Sequence, residues 1–305
     1  MKLCKSSFEI IEPTGYTLND IYKSIELAGK VSHKSEHTIK ENSAKEFVDR
    51  MIKLGHGATL EFGTVYLTIP CKFSGNQYNE SWKESKYNRN PYSRVRREYV
   101  ESERNYVDFI TTNLRVLVEN CWLDDLKYLC KPTEYHEKRY TVKFICDRGI
   151  LAEFTRHRKF SFMAESTRYC NYSKDKFNNE ITYIIPCWMN LEEGSYNNGK
   201  CYNPIATPYL VKGTTEEIFL LKLVGDELDY FELLEKGWKP QQARAVLPNA
   251  LKTELVMTGF VSDWEHFFSL RALGTTGAPH PQAKELAEPL MKEFERRGYY
   301  VLHNN

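Results

Sequence analysis

The segment RYTVKFICDRGILAEFTRHRKFSFMAESTRY (residues 139–169) decides the fold class of this 305-residue chain. Its first eight residues alternate apolar and polar side chains, which predicts a half-buried strand. Residues 150–154 then predict a short helix. The helix leads into RHRKFSFMAESTRY (residues 156–169), where arginine, histidine, serine and glutamate lie between aromatic rings. Because arginine presents a planar fork suited to phosphate or an anionic ring edge, this segment predicts an anion site.

A second strand is predicted at GTVYLTI (residues 63–69), which shows the same alternation. It and the strand at 139–146 could be neighbours, although about 70 residues separate them, too many for a simple hairpin. The intervening residues, about 70–138, begin polar and turn-rich and then become apolar. We interpret them as a large insertion into a smaller fold.

Helices dominate the rest of the chain, as capping and stop signals indicate. The first two predicted helices are residues 18–30 and a helix N-capped by Ser43. A third is opened by a Thr214–Glu217 capping box and ends at Gly237, and a fourth begins at Pro240. The last two are a helix opened by a Ser262–Glu265 box and residues 283–297 before Gly298. Residues 192–204 predict a loop. The sequence therefore predicts a single α+β domain over residues 1–305, with a small antiparallel or mixed sheet packed against helices and a helix-rich C-terminal half.

Composition disfavours several classes of function. Forty-two basic and 41 acidic residues give a net charge of +1, so no overall field attracts nucleic acid or an anionic membrane. Eight cysteines occur without a C-x-x-C pair, which favours reduced thiols and gives no indication of a metal site. The first residues lack a signal-peptide pattern and no apolar run reaches membrane-spanning length. We expect a cytoplasmic protein.

Standard phosphate-binding motifs are absent. GHGATLEFG (residues 55–63) lacks the full G-x-G-x-x-G pattern and precedes a strand, and GTTGAPH (residues 274–280) is not a Walker loop. A bound dinucleotide would therefore not lie in a Rossmann crevice.

Four elements together carry a resemblance. RHRKFSFMAES fits an R-H-R signature followed by seven residues and a serine, and LGHGATLEF (residues 54–62) resembles an early Gly-His motif. ARAVLP (residues 243–248) and the 23-residue step from Pro248 to Arg271 complete the pattern. The chain thus resembles the flavin-dependent thymidylate synthases, over most of its length outside the insertion.

The resemblance implies an activity and an assembly. It implies methylation of dUMP to dTMP, with methylenetetrahydrofolate as carbon donor and NADPH-reduced FAD as hydride source. It also implies a homotetramer whose sites are shared between subunits.

The resemblance assigns roles residue by residue. The FAD-binding positions are Ser32, Thr59, Arg156, His157, Arg158, Phe260, Ser262 and His266. The dUMP-binding positions are Glu153, Arg156, Glu165, Ser166, Thr167, Arg168, Arg244 and Arg271. The catalytic positions are Arg271, which stabilises charge on the uracil ring, and His56 near flavin and folate. Fixed guanidinium charge is also what an anionic reduced flavin requires.

This chain departs from the family pattern at three places. Glu153 stands where many members have glutamine, and its carboxylate would repel a phosphate unless it turns away or pairs with an arginine. Glu165 takes the acidic role one residue later than usual, after Met163-Ala164. Phe62 replaces a histidine, which removes one flavin contact.

Two alternatives remain open from the residues. A related flavin enzyme could add another one-carbon group to a pyrimidine nucleotide. A non-enzymatic nucleotide- or RNA-binding protein could use KYNRNPYSRVRREY (residues 86–99), although interleaved glutamates favour a solvated surface. Cys187 is interpreted as an inert thiol, and His280 as a loop residue outside the site.

Overall fold

The structure is a computed structural model that describes residues 1–71, 84–174, 177–196 and 213–299. Its strands in those ranges are β1 (Lys2–Cys4), β2 (Ser7–Ile11), β3 (Thr64–Pro70), β4 (Arg94–Val100), β5 (Asn105–Asn113), β6 (Arg139–Asp147), β7 (Ser161–Ala164), β8 (Thr182–Ile184), β9 (Gly194–Ser195) and β10 (Lys252–Phe260). Its α-helices there are α1 (Leu18–Val31), α2 (Ser43–Lys53), α3 (Gly57–Leu60), α4 (Leu114–Glu119), α5 (Arg148–Phe154), α6 (Thr215–Glu235), α7 (Pro240–Ala243), α8 (Val261–Phe268) and α9 (Pro281–Arg296). The fold class is α+β, as predicted.

The described strands form three small sheets. One has the order β2-β6-β10-β7 and another the order β3-β5-β4, and both are antiparallel. The third has the order β8-β1-β9, with β1 and β8 parallel. The strands predicted at 63–69 and 139–146 are therefore not neighbours, because β3 pairs with β5 and β6 pairs with β2 and β10.

The insertion supplies part of this architecture. Its strands β4 and β5 complete the sheet that β3 begins. A hydrophobic cluster joins that sheet to α1, α2 and α4 through buried residues such as Ile25, Val48, Leu67 and Leu117. The insertion thus shares a core with the N-terminal helices.

The four-stranded sheet positions the candidate site. One of its faces packs on α5, α8 and α9, and this core contains Phe144, Leu255, Phe154, Phe267 and Leu290, all fully buried. The other face contacts α1 through Val256. Strand β10, the best buried of the four, escaped sequence prediction because a strand buried on both faces shows no polar alternation.

Helix boundaries agree with their local signals in most cases. The Thr214–Glu217 capping box is present at the start of α6, and Gly237 follows the helix with φ +92°. The prediction that Ser262 and Glu265 form a capping box was wrong. Helix α8 begins at Val261, and the Asp263 carboxylate accepts a hydrogen bond from the Phe260 amide at 3.3 Å. Ser43 is the first residue of α2 and Asn42 its N-cap.

Two further boundaries differ from expectation. The final helix begins two residues early, at Pro281, and ends before Gly298 with φ +67°. The predicted loop at 192–204 lies partly outside the described residues, and inside them Gly194–Ser195 form β9. In the described part of the chain, no helix combines the length and the apolar character that crossing a membrane requires.

Candidate active site

An open groove of about 880 Å³ lies between the end of α5 and the α8–α9 region. Six of the predicted site residues line it: Glu153, Arg156, His157, Arg158, His266 and Arg271. They are distant in sequence, since the last turn of α5 and the residues that follow it supply the first group, and α8 and the turn that continues it supply the second. The tertiary structure therefore gathers one subset of the predicted residues at a single concavity.

Local structure presents the R-H-R residues alternately to core and solvent. Asp147 N-caps α5, its carboxylate accepting from the Ile150 amide at 2.7 Å, and the helix ends at Phe154. The rings of Phe154 and Phe160 are buried on either side of the triplet. The short span between these anchors buries His157 and leaves Arg156 and Arg158 exposed.

Arg271 is carried to the groove by a π-helical turn, Ser269–Leu273, that continues α8. Such turns recur at functional sites. Its Nη1 donates to Glu153 Oε2 at 2.7 Å and its Nη2 to the Glu153 carbonyl oxygen at 3.1 Å. Its Nε lies 3.1 Å from His157 Nε2. Because arginine can only donate, His157 Nε2 accepts and the ring proton is on Nδ1.

His157 is held in its neutral form. Burial lowers its pKa to about 4, and the nearby charges of Arg271 and His266 act in the same direction. The His157 and His266 ring centroids are 6.1 Å apart. At neutral pH His157 is thus an acceptor that orients Arg271, and the positive charge of the groove comes from other side chains.

The groove carries excess positive charge. Arg156, Arg158 and Lys159 line it and make no ion pair in the described part of the chain. The carboxylates lining it belong to Glu153, which pairs with Arg271, and to Asp263. Unpaired guanidinium groups on a concave surface of this volume suit an anionic flavin or nucleotide. The residues present therefore fit such a ligand.

A second group of predicted residues forms the loop after β7. The Ser166 amide donates to the Ser32 carbonyl oxygen at 3.0 Å, which joins the loop to the end of α1. Arg244 Nη1 donates to Thr167 Oγ1 at 2.9 Å. The Arg168 amide donates to Ser166 Oγ at 3.3 Å, and the Arg168 side chain is exposed. The structure thus brings together five residues that the resemblance assigns to FAD or dUMP.

Buried charges that sequence analysis missed support this loop. Lys252 Nζ donates to Glu165 Oε2 at 3.0 Å and to Glu254 Oε1 at 2.8 Å. Lys143 Nζ lies 2.9 Å from Glu254 Oε2, and Lys34 also contacts Glu254. Glu165 therefore faces the interior, its other oxygen accepting from a tyrosine hydroxyl at 3.3 Å. The i, i+2 spacing of Lys252 and Glu254 was the available signal, because it places both on one strand face.

The charges in this cluster shift the pKa values of Glu254 and Lys252. Although burial raises the pKa of Glu254, Lys252 and its other cationic partners lower it to about 2. Burial likewise lowers the pKa of Lys252, but Glu165 and Glu254 raise it above its usual value. Lys252 and Glu254 are therefore both charged at neutral pH.

The start of α8 contacts the insertion. The guanidinium of Arg94 stacks over the ring of Phe260 at 4.2 Å and lies 3.3 Å from Glu137. Glu137 in turn accepts hydrogen bonds from the amide and hydroxyl of Ser262. Two predicted flavin positions, Phe260 and Ser262, are thus in contact with residues of the insertion.

The remaining predicted residues lie at α3. His56 is exposed at the N-terminus of this helix and is not part of the groove lining. Thr59 is buried against Gly29 of α1. His280, interpreted from sequence as a loop residue outside the site, is the N-cap residue before α9, and it lines the groove. A histidine between two prolines gave no signal for this position.

Two cysteines of the described residues, Cys170 and Cys187, lie near the predicted site in sequence, and neither has the surroundings of an activated thiol. Cys170 is fully buried. Cys187 is exposed, and partial burial with the charge of Glu285 raises its pKa. Arginines of the basic strand β4 are themselves ion-paired, Arg96 with Glu98 and Arg97 with Asp108. This pairing leaves β4 less attractive to a polynucleotide than its sequence indicates.

Comparison with known proteins identifies the class. A family model described as thymidylate synthase complementing protein matches residues 131–297, more than half of the chain. The match contains the groove, the loop after β7 and strands β6 and β10. The chain belongs to this family.

Curated relatives carry a more specific name. A probable flavin-dependent thymidylate synthase of Paramecium bursaria Chlorella virus 1 is 27% identical over 156 residues, which are 50% of this chain and 67% of that protein. The flavin-dependent thymidylate synthase of Pyrococcus furiosus is 27% identical over 152 residues, 50% of this chain and 52% of its own. That of Synechocystis sp. is 28% identical over 156 residues, 50% of this chain and 66% of its own. The matched part of the chain thus spans about half to two thirds of the length of these relatives.

A solved structure aligns along nearly the whole chain. It is the UMP/dUMP methylase PolB from Streptomyces cacaoi bound with 5-Br UMP. The alignment covers 97% of this chain and 92% of the PolB chain, with 14% sequence identity. The TM-score is 0.41, and at that value the likeness carries no argument about this protein.

Proposed function

We propose that this protein methylates dUMP to dTMP, with methylenetetrahydrofolate as carbon donor and NADPH-reduced FAD as hydride source. The observation that carries the proposal is the groove itself. In it, unpaired Arg156 and Arg158 flank neutral His157, and Arg271 is fixed beside them. Family membership supports the same reaction.

The residues divide the work by their chemistry. Arg156 and Arg158 supply fixed positive charge for an anionic ligand. His157 accepts from Arg271 Nε and so fixes the direction in which the remaining N–H groups point. Bound flavin supplies the reducing equivalents. Arg271 stabilises negative charge that develops on the pyrimidine ring.

The loop after β7 is proposed to bind the nucleotide. Ser166, Thr167 and Arg168 offer hydroxyls and an exposed guanidinium, the donors that a phosphate dianion requires. Arg244 is oriented toward them by its bond to Thr167. We further propose a homotetramer in which this loop and a groove of different subunits form one site, with His56 and Thr59 contributing from α3.

No cysteine is needed as nucleophile in this scheme. Addition of a thiolate to the ring requires an activated thiol, and a buried Cys170 and a Cys187 of raised pKa do not provide one. The charge on the ring is instead met by Arg271.

The test is a pair of measurements on the purified protein. We expect it to carry FAD that bleaches with NADPH, and to release tritium from C5-labelled dUMP when NADPH and methylenetetrahydrofolate are present. Arg156→Ala with Arg158→Ala is expected to weaken FAD binding by about tenfold or more, since each removes a charge-assisted contact. Arg89→Ala removes an 87% exposed arginine outside the groove and serves as control. Protein that binds neither flavin nor dUMP would contradict the proposal.

A second variant separates the two ligands. Arg168→Lys is expected to weaken dUMP binding while FAD stays bound, because an ammonium cannot replace a bidentate fork. Equal dUMP affinity in the variant and the parent protein would remove Arg168 from the nucleotide site.

A further inference from the structure

The donor groups of Arg271 are partly occupied within the chain. A guanidinium has five N–H groups. Three are used, by His157 Nε2, by Glu153 Oε2 and by the Glu153 carbonyl oxygen. Among the residues that the structure describes, two N–H groups therefore remain for a ligand, one on each terminal nitrogen.

Glu153 offers the opposite polarity at the same place. Its Oε1 makes no hydrogen bond in the described part of the chain, the side chain is 31% exposed, and the residue lines the groove. An ionised carboxylate can only accept. The groove wall thus presents an acceptor beside two donors.

The backbone fixes this arrangement. Glu153 lies in the last turn of α5, next to fully buried Phe154. Its carbonyl oxygen and its carboxylate hold the two terminal nitrogens of the same guanidinium, so the two side chains are aligned before any ligand arrives.

We propose that the Glu153–Arg271 pair selects a neutral cyclic imide, a ring N–H flanked by carbonyl groups. Glu153 accepts the ring N–H, and Arg271 donates to a neighbouring carbonyl oxygen. The inference rests on the proposed function, in which both rings, the uracil of dUMP and the isoalloxazine of FAD, carry such an edge. Cytosine presents an unprotonated ring nitrogen there, which a carboxylate repels.

The pair also determines the charge of the bound ring. A deprotonated imide would lie against the Glu153 carboxylate, so binding favours the protonated ring. Glutamine would not impose this choice, because its amide can rotate to donate or accept. The carboxylate is thus a specificity-determining group in this chain.

The experiment measures nucleotide binding to the purified full-length protein by calorimetry. The probes are dUMP, N3-methyl-dUMP and dCMP, and the proteins are the parent, Glu153→Gln and Glu293→Gln. Glu293 is the control, because it accepts from Arg296 Nε at 2.7 Å in a surface pair outside the groove. The parent is expected to prefer dUMP over both other nucleotides by about tenfold or more, since each of them offers Glu153 Oε1 no N–H donor.

The variants then separate recognition from a structural role. Glu153→Gln is expected to reduce the dUMP-to-dCMP preference at least about fivefold, and Glu293→Gln to keep the parent's ratios. If Glu153 served only to hold Arg271, Glu153→Gln would instead weaken the binding of all three nucleotides by the same factor. That result would overturn the proposal.

A second arm identifies the ring that is recognised. Lumiflavin and 3-methyllumiflavin are titrated by fluorescence quenching into the same proteins. Discrimination by Glu153 among nucleotides assigns the pair to the pyrimidine, and discrimination between flavins assigns it to the isoalloxazine. Either result supports the proposal, and discrimination in neither arm refutes it.

Failure of the imide proposal differs from failure of the proposed function. The imide proposal alone is refuted if the protein forms dTMP but its ligand affinities change neither with methylation of the ring nitrogen nor with Glu153→Gln. Imide discrimination without dTMP formation refutes the proposed reaction alone.

Discussion

Acidification of the protein tests the buried state of His157. Burial first, and then the charges of Arg271 and His266, lower the pKa of His157 from 6.5 to about 4. The folded protein therefore binds fewer protons than the unfolded chain between these two values. The contribution of His157 to stability is complete above pH 6.5 and is lost as pH falls toward 4.

The size of the effect follows from the shift. A difference of roughly 2.5 pKa units corresponds to about 3 kcal/mol of unfolding free energy. About 2 kcal/mol of it is lost between pH 7.5 and pH 5.0, because pH 5.0 still lies above the folded pKa.

The assay is urea unfolding of the parent protein and of His157→Gln at pH 7.5 and pH 5.0. Glutamine offers an acceptor to Arg271 Nε but does not titrate. The loss on acidification is expected to be smaller in the variant by about 2 kcal/mol. His136, whose pKa burial also lowers, is present in both proteins and cancels in the comparison. An equal loss in both proteins would show that His157 is not held neutral by its surroundings.

Three other predictions, which use four substitutions, probe the described structure. Lys252→Met is expected to destabilise the protein by about 3 kcal/mol, because it removes the ammonium group that the buried carboxylates of Glu165 and Glu254 share, and thermal unfolding of the variant measures this. Gly259→Ala is expected to cost about 1–3 kcal/mol, because a Cβ there lies 2.5 Å from the ring of Phe160, and an unchanged melting temperature would contradict this packing. Cys170→Ser and Cys187→Ser, singly and together, are expected to keep tritium release from dUMP within about tenfold of the parent rate, and a folded, flavin-containing but inactive variant would favour a protein nucleophile.

Local patterns predicted many elements of the fold. The alternation at 139–146 became β6, the capping box at Thr214 became the start of α6, and Gly298 follows the last helix. Each of these signals depends on a few neighbouring residues. Strand β10 lacked such a signal, because its burial on both faces removed the polar alternation.

The candidate site shows the same division. The R-H-R signature with its spaced serine, the early Gly-His motif, ARAVLP and the step from Pro248 to Arg271 together predicted the family, which the match over residues 131–297 confirmed. The roles of the individual site residues remain predictions. Sequence did not indicate that Glu153 pairs with Arg271, more than a hundred positions away, or that Lys252 supports Glu165.

The sequence by itself determined the family, the α+β class and the residue types of an anion site. The tertiary structure alone decided which strands are neighbours, with β3 next to β5 instead of β6, and which charges are neutralised. It also decided that His157 accepts from Arg271. Periodicity and capping are set by residues a few positions apart, so they can be read along the chain. The partner of a charged side chain, by contrast, is whichever group the packed core brings within hydrogen-bonding distance, and that distance does not depend on separation in sequence.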